Sequence, residues 1–144
     1  MGRHDLHRAV ERLARQQHGV ITREQALSLG FTPRMVEGLL RSQAWTTLGP
    51  SIYALAPFPP TWQREYKAAE LSVREAGLGG LAAARVLDFE GFGVARPEVV
   101  TETYTVNARS ELAIVHRARD VRFTTARGFR VTTPAQTLAD LVTR

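Results

Sequence analysis

Apolar positions recur with a helical period at the start of the chain. Leu6, Val10 and Leu13 fall at i, i+4 and i+7, with Ala9 beside them, and Arg and Glu fill the other faces. His18-Gly19 closes this helix, with Gly19 just past its last turn. Thr22-Arg23-Glu24-Gln25 reads as a capping box, in which the Thr22 hydroxyl and the Gln25 amide each satisfy a free backbone N–H. A short helix follows with Ala26, Leu27 and Leu29, and stops at Gly30. Thr32 is a good N-cap for a third helix, and Pro33 sits at its first position, where the missing N–H does no harm. Met35, Val36, Leu39 and Leu40 form that helix's apolar stripe.

After residues 41–44 the period shortens. Trp45 to Leu48 and Ile52 to Leu55 predict two short strands joined around Gly49-Pro50. Helix, short helix, helix and two-stranded ribbon is the order of a winged helix-turn-helix, with the third helix as recognition helix and the ribbon as wing. Ala56-Pro57-Phe58-Pro59-Pro60 cannot sustain a helix and marks a stiff linker. The chain therefore divides into a winged helix-turn-helix over 1–57 and a small domain over 58–144.

In the second domain, Trp62, Tyr66, Ala69 and Val73 predict a helix from near Thr61 to about Ala76, broken at Gly77 to Gly80. Leu81 to Leu87 is a short Ala-rich helix that ends around Glu90-Gly91. From Pro97 the pattern turns to strands: Val99 to Val106, Leu112 to Arg117, Val121 to Thr125 and Phe129 to Val131. Thr133-Pro134-Ala135-Gln136 caps a closing helix through Leu138 and Leu141. The expected fold class is α+β: a winged helix followed by a small mixed α/β domain of helices, antiparallel strands and a closing helix.

Composition narrows the function. The 144 residues hold no cysteine, which excludes a disulfide scaffold, a thiolate zinc site and a cysteine nucleophile. No apolar run approaches the ~18 residues of a membrane span, and the charged first 15 residues are no secretory signal, so a cytoplasmic location is expected. The net charge is +5, carried by 18 Arg and a single Lys, Lys67. A GC-rich genome would give the same excess of Arg over Lys, but the positive sign favours a polyanionic partner. Residues 1–57 carry seven Arg against four acids and residues 58–108 five cations against seven acids. Residues 109–130, with six Arg against two acids, are the densest basic segment.

The third helix's stripe leaves Arg34, Glu37, Gly38 and Arg41 on its opposite face. Arg34 lies in the first turn, where it could pair bidentately with a guanine, and Arg41 two turns on suits a phosphate. The Thr32 hydroxyl and the free N–H groups beside it could also take a phosphate. A glycine inside a helix costs about 1 kcal/mol against alanine, which close approach to DNA would explain at Gly38. The wing carries no cation; Thr47 and Ser51 offer hydroxyls to a backbone instead. Arg117, Arg119, Arg122, Arg127 and Arg130, with Arg109 and His116, form a possible second basic face, or else are the ordinary charged exteriors of strands.

Catalysis finds no foothold. His4 and His7 share a helical face without a companion carboxylate set, and His18 and His116 stand apart. Gly77-Leu78-Gly79-Gly80 follows a helix and lacks the Lys-Ser/Thr of a phosphate loop. Asp88 and Glu90 sit at a helix end with no nearby lysine. No catalytic residue, metal or cofactor is expected.

The run HGVITREQALSLGFTPRMVEGLLRSQAWTTLGPSIYAL, His18 to Leu55, resembles the N-terminal domain of AbiE-type antitoxins, of type IV toxin–antitoxin abortive-infection systems. FRVTTPAQTLADLV, Phe129 to Val142, resembles the end of the domain that follows it. The resemblance implies a winged helix and a small α/β domain, binding to double-stranded promoter DNA, repression of its own operon, and neutralisation of a nucleotidyltransferase-like toxin. The chain differs from the family pattern in two places. Gly49-Pro50-Ser51 stands where relatives usually have Arg-Gly ahead of the wing's second strand. Leu81 to Arg85 stands where they often have Ser-His-x-Ser. Many relatives continue into a restriction-endonuclease-like domain, whereas this sequence ends at Arg144, so no such activity is carried over. Two other readings stay open: a winged helix that binds protein without DNA, and the regulatory part of a restriction-endonuclease-like protein.

Overall fold

A computed structural model describes residues 2–93, 96–103 and 110–143. The chain divides into two compact units, Met1–Ala68 and Ala69–Arg144.

The first unit opens with α1 (Arg3–Gln16), which buries Leu6, Val10 and Ala14. Gly19 follows at φ +89°, and a Cβ there would overlap Phe58, so two constraints select glycine. A short strand not foreseen in the sequence follows, β1 (Val20–Thr22). Thr22 then caps α2 (Arg23–Leu29) as expected: its hydroxyl accepts from the Gln25 N–H at 3.1 Å, and the Thr22 N–H donates to Gln25 Oε1 at 2.9 Å. Gln25 also exchanges two amide hydrogen bonds with Gln17, which fastens α2 to the end of α1. Gly30, at φ +118°, ends α2, and Thr32 caps α3 (Pro33–Arg41), its hydroxyl accepting from the Met35 N–H at 3.1 Å.

The wing strands are β2 (Trp45–Gly49) and β3 (Ile52–Leu55). They belong to a three-stranded sheet of order β1-β3-β2 rather than a lone ribbon, with both pairings antiparallel. A two-stranded ribbon is marginal by itself in water, and β1 gives β3 a second partner. Phe31, Trp45 and Tyr53 join Leu6, Val10, Ile21, Ala26, Val36 and Leu55 in one buried cluster.

Helix α4 (Trp62–Ser72) spans the division between the units and stops short of the expected end near Ala76. In the second unit, the glycine run after it is more than a helix breaker. Gly77–Leu78 is β4, in the middle of a five-stranded sheet of order β6-β5-β4-β8-β7. The other strands are β5 (Glu98–Thr101), β6 (Ile114–Arg117), β7 (Phe123–Ala126) and β8 (Phe129–Thr132). Residues 104–106 of the expected Val99–Val106 strand lie outside the described residues. A Cβ at Gly77 would overlap Phe123 and one at Gly79 would overlap Val100, so close packing selects both glycines.

The expectation of antiparallel strands is corrected. β4 pairs antiparallel with β5, and β7 with β8, but β5–β6 and β4–β8 are parallel. Adjacent parallel strands need a crossover of about a dozen residues, and residues 102–113 separate β5 from β6. Helix α5 (Gly80–Val86) and the closing α6 (Pro134–Val142) complete the unit. The second family-like run has a structural use here. Phe129 and Val131 are buried, Thr132 and Thr137 pair hydroxyl to hydroxyl at 2.6 Å, and Thr133 caps α6 through the Gln136 N–H.

Two positions on β2 test this packing. Trp45→Ala should lower unfolding free energy by about 3–5 kcal/mol. Thr47→Ala, exposed on the same strand, should change it by no more than about 0.5 kcal/mol. Urea denaturation followed by circular dichroism measures both.

Candidate nucleic-acid interface

Helix α3 has nine residues. At about 1.5 Å per residue it is about 13 Å long, comparable with the roughly 12 Å width of a B-DNA major groove. Val36 is fully buried and holds the inner face against the core, while Met35, Leu39 and Leu40 pack on its edges. This leaves Thr32, Arg34, Glu37 and Arg41 exposed. Seven residues separate the two arginines, which is about 10 Å along the axis.

One open cavity of about 600 Å³ gathers Thr32, Arg34, Gly38 and Arg41 with Met35 and Leu39 of α3 and with Arg3 and His7 of α1. Glu37 is not part of its wall. The guanidinium groups of Arg3, Arg34 and Arg41 make no ion pair or hydrogen bond among the described residues. Thr32 spends one acceptor position on the helix cap, but its hydroxyl hydrogen can still be donated. Nothing lies within 4 Å of a Cβ placed on Gly38, so the protein's own packing does not require glycine there.

Sequence reasoning missed Arg3 and found only that His7 lacks a companion carboxylate set. His7 lies edge-on to Phe31 with ring centroids 5.6 Å apart, and Phe31 leads on to Trp45 at 5.4 Å. The helical period of α1 placed His7 one position from Leu6, but its partner Phe31 is 24 residues on, beyond any local pattern.

The wing hydroxyls are placed differently. Thr47 is exposed on β2, the outer strand of its sheet. Ser51 is exposed in the β2–β3 turn at φ +60°. The Ser51 carbonyl accepts from the Arg23 N–H at 2.9 Å, which brings the first residue of α2 to the β2–β3 turn. Neither Thr47 nor Ser51 lines the cavity.

The second group of arginines is spread along the five-stranded sheet. Arg117 ends β6, at one edge, while Arg127 and Arg130 belong to the β7–β8 hairpin at the other, with Arg119 and Arg122 in the connection between β6 and β7. Three of them, Arg117, Arg127 and Arg130, already have neighbours. Arg130 lies 4.3 Å over the Phe123 ring, and Arg127 is 3.8 Å from the Asp88 carboxylate. Glu98, buried between the sheet and α5, accepts from the Leu81 N–H at 3.0 Å and lies 3.0 Å from His116 Nε2. Arg109 lies outside the described residues. No group of three or more His, Asp or Glu side chains among the described residues could hold a metal ion, and no helix among them is long and apolar enough to cross a membrane.

Residues 8–56 match the family model of a transcriptional regulator, the AbiEi antitoxin. Over this segment the winged helix is similar to the AbiEi antitoxin family. The matched segment runs from within α1 through β3, so it includes the capped turn, α3 and the wing. No curated protein matches the chain. The match leaves Arg3 and His7 outside its residues.

The open space at Gly38 leads to a direct expectation. Gly38→Ala should raise unfolding free energy by about 0.5–1 kcal/mol, because alanine fits the space and restricts the unfolded chain. A urea midpoint unchanged or lowered in this variant would contradict it.

Proposed function

We propose that this protein is a sequence-specific DNA-binding repressor, the autoregulating antitoxin of a type IV toxin–antitoxin pair. It acts in the cytoplasm by binding rather than catalysis. The observation that carries this reading is the outer face of α3, where Arg34 and Arg41, exposed and unpaired among the described residues, flank a glycine that the packing of those residues does not need. Guanidinium groups with five donors and no internal partner suit guanine edges and phosphates. The AbiEi match, to a family of transcriptional regulators, supports the same reading.

In this reading residues 1–57 are the DNA-binding domain. Arg34, in the first turn of α3, reads a guanine. Glu37 accepts from a cytosine amino group. Arg41, about 10 Å further along the helix, meets a phosphate, and Thr32, Thr47 and Ser51 add hydroxyl contacts to the backbone. Gly38 lets the helix backbone approach the groove floor. The α/β domain over 58–144 is left for a second partner, a nucleotidyltransferase-like toxin, or for further backbone contact through Arg117, Arg119, Arg122, Arg127 and Arg130.

Fluorescence anisotropy on the protein's own upstream DNA and on a scrambled duplex tests the reading. Wild-type protein should prefer the upstream duplex and keep that preference at physiological salt. Arg34→Ala should weaken upstream binding by about 1–3 kcal/mol and erode the preference, whereas Arg41→Ala should weaken both duplexes alike. Gly38→Ala should lose affinity for the upstream duplex despite its greater stability. Equal, salt-erased binding to both duplexes by the wild type would overturn the repressor reading.

A further inference from the structure

The wing, residues 45–55, contains neither Lys nor Arg. Its polar side chains offer a duplex hydroxyls rather than cations. The cavity beside α3 is walled in part by Arg3 and His7 of α1, and no carboxylate among the described residues lines it. Three guanidinium groups thus border one open space with no counter-charge in its wall. Like charges drawn together in this way repel each other unless an anion enters from outside. The wall is also fixed in place. Leu6 and Val10 anchor α1 in the core, and the His7 ring is set edge-on against buried Phe31, one residue before the Thr32 cap of α3.

We propose that Arg3 and His7 of α1, together with Arg41 of α3, form a cleft for the phosphodiester backbone of one DNA strand. This cleft supplies the electrostatic backbone contact that the uncharged wing lacks. The inference rests on the DNA-binding reading above and adds a second element to it, the first two turns of α1. Both α1 residues precede the segment matched by the antitoxin family. In the cleft, Arg3 and Arg41 neutralise phosphates and a His7 ring N–H donates to a phosphate oxygen, while Arg34 stays free for a base edge.

The test compares two arginines of the same helix. Arg12 is exposed and lies nine residues beyond Arg3. At about 3.6 residues per turn that is two and a half turns, the opposite side of α1. Binding of the full chain to its upstream duplex and to a scrambled duplex is measured by anisotropy across a salt series. Arg3→Ala should reduce the slope of log K against log salt by about 0.9 on both duplexes and leave the ratio between them unchanged. Arg12→Ala, with the same loss of charge, should keep the wild-type slope, and Arg3→Lys should restore it. If the wild type binds with sequence preference but Arg3→Ala and Arg12→Ala have the same slope, the cleft is overturned and the recognition helix stands. If the wild type shows no preference between the duplexes, the DNA-binding reading falls and the cleft falls with it.

Discussion

The packing of Phe31 sets the geometry of the first unit. It is the residue between the glycine that ends α2 and the threonine that caps α3, and it is almost fully buried. Its ring meets His7 of α1 on one side and Trp45 of β2 on the other, and Trp45 in turn stacks on Tyr53 of β3. One aromatic row therefore joins the first helix, the turn ahead of α3 and the wing. Aromatic pairs of this kind bring specific geometry as well as buried area. With that row in place α3 has no freedom to roll: Val36 faces the core and Arg34 and Arg41 face outward. The backbone hydrogen bonds of the two caps fix where each helix begins, and the aromatic row fixes which way it faces.

The outward face is built by what the core does not use. Val36 and its neighbours supply all the apolar contact that α3 needs, so Gly38 can forgo a side chain and the arginines can forgo partners. An exposed ion pair would be worth little to stability, and leaving the charges unpaired keeps them available. The same economy marks the wing, where buried Trp45 and Tyr53 serve the core and Thr47 and Ser51 meet the solvent. The first unit therefore has an uncharged wing and, beside α3, a cavity bordered by three arginines. It matches the transcriptional regulator of the AbiEi antitoxin family over the part that includes the helix and the wing.

The second unit depends on a different constraint, the closeness of approach around its central strand. β4 is only two residues long and hydrogen-bonds to β5 and β8 on either side. Phe123 and Val100 occupy the space where side chains of Gly77 and Gly79 would stand. Larger residues there would push the neighbouring side chains away. Buried polar groups then fasten the helices: Glu98 holds the first turn of α5 through Leu81, and the Thr132–Thr137 pair holds the first turn of α6.

The sequence by itself determined the helices, their caps and the wing strands. Those features depend on short-range chemistry: an apolar period, a threonine three residues before an amide, a proline at a first turn, a glycine past a last one. It also determined which side of α3 would carry Arg34 and Arg41, because helical spacing alone decides that. Only the tertiary structure decided the rest. β1 exists because Val20 and Ile21 find β3 more than thirty residues away, and Gly77-Leu78 is a strand because β5 and β8 close on it from both sides. The same holds for the sheet's parallel pairings, for the separation of Arg117 from Arg130 at opposite parts of the sheet, and for the place of Arg3 and His7 beside the recognition helix. A contact between residues far apart in the chain leaves no period in the sequence, since each partner's residue type satisfies its own local surroundings equally well without it.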